Sequence, residues 1–216
     1  ENLPESSRWY PGAGLYRNVR VVTTGKVHVP VWGTQLTTPH VADEYASVRL
    51  LTTIANDEGK DIRIVTEIIS PDGKVVATKD NTRKINHGQP FEQNFLVNAP
   101  CLWSPETPYL YKASSKIYVD GKQVDSKSEK FGIREITWDE NHCYVNGEKC
   151  ILRGFGNRNI YPGLGAAVPA ALRWQDIAYI AECGGNAFRV GHQPPFAEAF
   201  QACDVYGILL IVNSGD

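Results

Sequence analysis

The chain has 216 residues, a formal net charge of -2, 42% hydrophobic and 21% charged residues. These values suit one large or two small globular domains and give no electrostatic case for nucleic acid, which asks for a basic face. No apolar run approaches the ~20 residues that span a bilayer, so no membrane segment is expected.

Residues 1–24 carry the string Arg8-Trp9-Tyr10-Pro11-Gly12-Ala13-Gly14-Leu15-Tyr16-Arg17-Asn18-Val19-Arg20-Val21-Val22. A Pro-Gly loop feeds a predicted strand that puts Val19 and Val21 on one face. One strand needs a sheet, and the rest of the chain offers none, so residues 1–24 are expected to be the tail of a preceding domain. The start at Glu1 without Met or signal segment is expected for a processed chain or an excised piece of a longer protein.

Residues 25–136 predict an immunoglobulin-like β-sandwich. Apolar runs at 27–31, 45–54, 62–69, 75–78, 91–97, 109–119 and 123–136 are separated by turn signals such as Ser70-Pro71-Asp72-Gly73 and Asp120-Gly121. Lysines between 122 and 130 alternate with acids and read as a solvated hairpin face. Cys101, Cys143, Cys150, Cys183 and Cys203 form an odd set with no Cys-x-x-Cys and no His at zinc spacing. Buried thiols are expected, although Cys143 and Cys150 stand where a hairpin would face them, which leaves one bridge open.

Residues 137–151 predict a further hairpin, and from Leu152 the period changes. That hairpin, around Val145-Asn146-Gly147-Glu148, leads to Leu152-Arg153-Gly154-Phe155-Gly156. Residues 170–183 predict a helix with Ala171, Trp174, Ile177, Ala178 and Ala181 at helical spacing, opened by Pro169 and stopped by Gly184-Gly185. A strand at 186–190, a helix with Phe196, Ala199, Phe200 and Cys203 on one face, and the run 208–212 follow. The last is continuous enough to be covered on both faces. This β-α-β-α-β order is expected to build either an open parallel sheet or a barrel.

Polar residues gather past the predicted strand ends: Asn157, Arg158 and Asn159, then Arg189 and His192, then Asn213 and Asp216. In a barrel that edge carries the site. Arg189 interrupts an apolar strand, so a carboxylate or ligand partner is expected for it. Gly154-Phe155-Gly156 lacks the third glycine of a dinucleotide loop, and no nucleophile elbow or His-Glu-x-x-His occurs. Spacing alone yields no catalytic pair.

Four strings in order resemble glycoside hydrolase family 2, the family of β-galactosidases, β-glucuronidases and β-mannosidases. They are the Arg8–Val19 string, Leu102-Trp103-Ser104-Pro105-Glu106-Thr107-Pro108-Tyr109-Leu110-Tyr111 with Phe131-Gly132-Ile133-Arg134, then Val145-Asn146-Gly147-Glu148-Lys149 with Leu152-Arg153-Gly154 and Asn157-Arg158, and finally Phe188-Arg189-Val190-Gly191-His192-Gln193-Pro194. The resemblance implies a jelly-roll tail (1–24), an immunoglobulin-like domain (25–136) and the start of a (β/α)8 catalytic barrel (137–216). It further implies an exo-β-glycosidase parent, with β-galactosidase the leading activity, cleaving a β-linked sugar by a retaining mechanism. That chemistry needs two carboxylates ~5–5.5 Å apart, which the family places after barrel strands four and seven. Neither is expected in this chain, so no catalytic residue is assigned and the chain alone is expected to be inactive. By the same resemblance Arg189 orients the nucleophile, and Asn157, Arg158 and His192 line the sugar subsite.

Departures from the family pattern are Asn159 in place of His, Gly191 in place of Ser, and Val212-Asn213-Ser214-Gly215-Asp216 in place of Asp-Glu. They put galactose specificity and a magnesium site in doubt; no cofactor or metal is expected in the chain, and a divalent metal in the parent is unsupported. A periplasmic or extracellular parent and a homo-oligomer through exposed barrel edges are expected. The competing reading is a non-catalytic sandwich that serves as spacer, interaction surface or carbohydrate-binding module through Trp32, Trp103 or Trp138. A degenerate family member without activity is a third. Residues 150–216 are expected to be partly disordered, dimerised or swapped, and 25–136 to fold well.

Overall fold

The computed structural model describes residues 14–55, 59–84, 89–158, 160–191 and 195–212. Seven strands build the sandwich: β1 (Thr34–Val41), β2 (Tyr45–Thr52), β3 (Asp61–Ile69), β4 (Val75–Lys84), β5 (Phe91–Asn98), β6 (Tyr111–Val119) and β7 (Lys122–Phe131). They form antiparallel sheets of order β1-β2-β5 and β4-β3-β6-β7. Strict alternation turns Phe91, Phe95 and Val97 of β5 inward toward Tyr111, Ala113 and Ile117 of β6, each large side chain contributing about 1.5–3 kcal/mol by burial. Two apolar clusters result, one around Leu50, Phe95 and Ile133, the other around Ile62, Ile64, Phe91 and Ile117.

Between those clusters lies a buried polar link that the hydrophobic pattern does not announce. Thr66 donates to Gln93 Oε1 at 2.7 Å or shares its hydroxyl with Ser115 at 2.8 Å, and Gln93 Nε2 donates to the Ile64 carbonyl at 3.2 Å. Mutual hydrogen bonding offsets the cost of burying these groups. Gln93 comes from one sheet and Thr66 from the other, so the link fixes their relative position.

Several expected elements differ. Residues 27–31 form only a bridge from His28 to Ala55, because the chain turns at once: Gly33 N–H donates to the Pro30 carbonyl at 2.9 Å. The true first strand, β1, was hidden by Pro39. It tolerates proline because it is an edge strand whose register shifts between Thr37 and His40. β4 runs past Thr78 to Lys84 as a polar outer edge. Residues 14–24 carry no strand, and Val19 and Val21 are exposed; no described strand pairs with this segment to extend it into a sheet. The string before Gly14 lies outside the described residues.

A three-stranded sheet of order β10-β9-β8 follows, from β8 (Ile136–Trp138), β9 (Cys143–Val145) and β10 (Glu148–Cys150). Asn146 (φ 53°) and Gly147 (φ 80°) turn β9 into β10, the two left-handed residues of a type I′ hairpin. Then come β11 (Gly154–Asn157), α1 (Ala170–Glu182), β12 (Ala187–Val190), α2 (Ala197–Tyr206) and β13 (Leu209–Ile211), with β11-β12-β13 paired in parallel. Three strands are the opening of a TIM barrel that does not close among the described residues. Ile177 and Ile180 of α1 pack on Phe188 and Val190, joined by Ala202 and Cys203 of α2. The buried face of α2 therefore uses Ala202, whereas Phe200 is about half exposed. β13 is an edge, and its last residue Ile211 and the following Val212 are exposed; the two-sided cover expected for this run needs a further neighbour.

Sandwich, hairpin and parallel sheet share a core. Trp103, Cys143, Val145 and Leu209 form one cluster. Trp103 packs against Gly132, where a Cβ would lie 2.7 Å from the tryptophan's own Cβ. Asn146 Nδ2 donates to the Trp103 carbonyl at 3.0 Å, and Trp103 Nε1 to the Asp204 carbonyl at 2.8 Å. The base of the sheet is thereby fastened to the end of the sandwich.

Candidate functional site

Register decides where the strand-end residues face. Phe188 and Val190 point to the helices, so Arg189 between them points to the other side, the side that becomes a barrel interior. It stands in row with Gly156 on one side and Ile211 on the other. A Cβ at Gly156 would meet only the Arg189 carbonyl, at 3.7 Å; the glycine thus leaves an open notch in the row beside Arg189. Arg189 is exposed, and no partner for it occurs among the described residues. The carboxylate or ligand partner expected for it is not supplied by the described residues.

Asn157 is in register with Val190 and so lies on the helix side. Its Nδ2 reaches Asp176 Oδ2 of α1 at 3.4 Å. Tyr161 also hydrogen-bonds Asp176, and burial followed by that bond pushes its hydroxyl up to about 12. Asp176 thus ties the end of β11, the following loop and α1 together. Arg158 is exposed past the strand end and lies against Gly191, the residue after β12. A Cβ on Gly191 would come within 2.9 Å of Arg158 Cγ and 3.0 Å of its Cα. The absence of a side chain at Gly191 leaves room for the two strand ends to lie this close. Arg158, Gly191 and Arg189 are therefore brought to one edge. Asn157 shares that edge but turns its amide the other way. His192, Asn159, Asn213 and Asp216 lie outside the described residues.

One constellation was not foreseen. Phe196, which caps the start of α2, takes the guanidinium of Arg173 at 3.0 Å from its ring centre and that of Arg17 at 4.1 Å. Arg17 also donates to the Pro195 carbonyl at 3.4 Å, and Asn18 Nδ2 reaches Glu198 at 3.4 Å. Arg173 is 4% exposed; burial, then the like charge of Arg17, lowers it to about 10. The signal was present in the helix pattern, since Arg173, Ile177 and Ile180 share one α1 face. Asp176 carried no signal.

The tryptophans divide. Trp103 is buried and hydrogen-bonded, so it offers no sugar platform, while Trp32 and Trp138 are 92% and 63% exposed. A cavity of about 350 Å³ opens beside β13 between Trp138, Phe200 and Arg134; Ile211, the register partner of Arg189, also lines it, while Arg158 and Arg189 do not. Among the described residues, no three His, Cys, Asp or Glu side chains come together as metal ligands, and no helix is long and apolar enough to cross a membrane. The cysteines are thiols, with Cys143 and Cys150 in direct register.

Comparison with known proteins agrees with this architecture. Residues 28–134 match glycosyl hydrolases family 2, and residues 136–215 match the TIM barrel domain of the same family. A β-galactosidase of Bacteroides ovatus is 31% identical over 98% of this chain and 25% of its own length. A β-glucuronidase of Formosa agariphila is 32% identical over 98% of this chain and 24% of its own. The crystal structure of a β-glycosidase from Bacteroides vulgatus superposes with a TM-score of 0.86 at 26% identity, over 96% of this chain and 26% of the other. The chain spans about a quarter of the length of these relatives. With both of its modules matched in order, the chain belongs to glycosyl hydrolase family 2.

Proposed function

We propose that the chain contributes the immunoglobulin-like domain and the first part of the catalytic barrel to an exo-β-glycosidase that cleaves β-linked sugars with retention. In this reading residues 1–24 end a jelly-roll domain, 25–136 are the sandwich and 137–216 begin the barrel. The observation that carries it is the common edge of β11 and β12, where Arg158, Gly191 and Arg189 converge at the end of the strands that bears sites in such barrels. Arg189, beside the notch at Gly156, positions a carboxylate supplied by later strands. Arg158 and His192 line the sugar subsite, and Asn157, held by Asp176, shapes its rim. Retaining hydrolysis needs two carboxylates on opposite sides of the scissile bond, and this chain supplies neither. Among sugars, β-galactoside is the leading choice and β-glucuronide the next, since the relatives bear both names.

The test is a panel of nitrophenyl β-glycosides, given to the complete parent enzyme and to the 216-residue chain. Turnover of one β-glycoside by the parent and none by the chain is expected. A parent inactive on every β-glycoside, or turnover by the chain alone, would sink the reading.

A further inference from the structure

The hairpin beneath the parallel sheet holds two cysteines that nothing in the proposed chemistry uses. Cys150 and Cys143 are direct cross-strand partners. Directly opposed residues of an antiparallel pair project on the same face, and here both side chains meet the cluster of Trp103, Val145 and Leu209. The turn between them is the two-residue Asn146-Gly147 turn, with both residues left-handed, which fixes register without slippage.

Geometry sets how a bond between them would behave. In a two-residue hairpin the pair next to the turn, Val145 and Glu148, exchanges backbone hydrogen bonds. Cys143 and Cys150, two residues further along, do the same. Such pairs have Cα atoms ~5.5 Å apart, within the usual range for a disulfide. Their Cβ atoms, ~4.5–5.5 Å apart, must close to ~3.5–4.5 Å. Closure is reachable by a small local inward movement, and the resulting bond is strained. Strained bridges are the reducible ones. The sulfur of Cys150 also sits 3.6 Å from Asn186 Nδ2. Asn186 is the buried residue whose side chain accepts from Arg153 N–H at 2.8 Å and donates to the Ile151 carbonyl at 3.0 Å, locking β11 into place beside β12.

We propose that Cys143 and Cys150 form a reversible cross-strand disulfide, a redox-sensitive staple at the base of the barrel's opening strands. A small-molecule disulfide such as oxidised glutathione supplies the oxidising equivalents. The Cys150 thiolate, the more accessible of the two, attacks one glutathione sulfur, forming a mixed disulfide and releasing glutathione thiolate. The Cys143 thiolate then attacks Cys150 Sγ and expels the second glutathione. One disulfide breaks and one forms, and the two cysteine protons end on two glutathione thiols. Burial raises both thiols above their ordinary range, so exchange is slow at neutral pH and accelerates in alkali.

The 216-residue chain is equilibrated at pH 8 in glutathione buffers of graded ratio, acid-quenched, then alkylated in denaturant and mapped by peptide mass spectrometry. The expected result is a Cys143–Cys150 linked peptide that appears at oxidising ratios and disappears at reducing ones, while Cys101 and Cys183, both exposed, never link to either. The oxidised form should melt about 4 °C above the reduced form, and a Cys143→Ser/Cys150→Ser chain should show no such redox dependence. Full alkylation of Cys143 and Cys150 at every ratio would overturn the proposal. So would a linkage of either one to Cys101, Cys183 or Cys203.

Discussion

The indole N–H of Trp103 donates to the main-chain oxygen of Asp204 at 2.8 Å across 101 residues of sequence. One partner belongs to the sandwich and the other to α2. Arg134 lies over the same indole at 4.5 Å and faces the Asp204 carboxylate at 3.9 Å. Burial lowers Arg134 and raises Asp204, each effect opposed by the other's charge. Both charges are thus partly desolvated while they face each other, and the tryptophan adds a neutral hydrogen bond to the same contact. Trp103→Phe should cost about 1–2 kcal/mol for the lost hydrogen bond, and Trp103→Ala about 3–5 kcal/mol for the emptied site. Urea unfolding followed by circular dichroism measures both.

Gly207 ends α2 in the left-handed conformation (φ 71°), and a Cβ there would lie 2.3 Å from the Pro105 carbonyl oxygen. Gly207→Ala combines an unfavourable backbone angle with a clash against main chain. A loss of about 3 kcal/mol is expected. The loss should appear in the amide protection of 187–211, with the 34–131 strands unchanged. Wild-type stability would remove the argument that the two parts touch here.

Arg17 is expected to hold the start of α2 through Phe196. Arg17→Ala should raise amide exchange across 195–206 several-fold, while Arg17→Lys, which keeps charge but not the planar stack, should restore it only in part. Unaltered exchange in Arg17→Ala would show that the stack does not order this segment.

Acid stability has an identifiable contributor in Asp139. The N–H of Asn141 at 2.8 Å, the Tyr144 hydroxyl at 2.8 Å and the N–H of His142 at 2.6 Å all donate to its carboxylate, holding it at about 2 against an ordinary 3.8. The folded form binds this proton less readily than the unfolded one. Its contribution is therefore complete above the ordinary value and disappears as pH falls from there through about 2. Asp139→Asn should flatten the melting-temperature profile between pH 4 and 2; that it does so is a direct calorimetric check.

Legibility followed local chemistry. The tight turns at Ser70–Gly73 and Asp120-Gly121, the alternating β5 and β6, and the hairpin at Asn146-Gly147 are encoded within a few residues, and they formed where expected. β1 was lost because Pro39 sits in a bulge that only its edge position permits. The buried Gln93–Thr66–Ser115 link and the Asn157–Asp176 contact depend on partners far along the chain, so no local pattern signals them. Arg189 is legible only in part. Alternation puts Phe188 and Val190 on the helix side and the arginine on the other, whereas the partner it meets there is set by chain far from this strand.

The Asn146-Gly147 turn also sets an order of events. A hairpin of this type closes in about 1–10 μs, needing only neighbours in sequence. Pairing of β11 with β12 must wait for α1 to be laid down between them, and the Trp103–Asp204 contact must close a far longer loop. The hairpin is then the seed on which the parallel strands are mounted, and the tryptophan contact is the last fastening. Changes in the turn should slow folding, while changes at Trp103 should chiefly hasten unfolding.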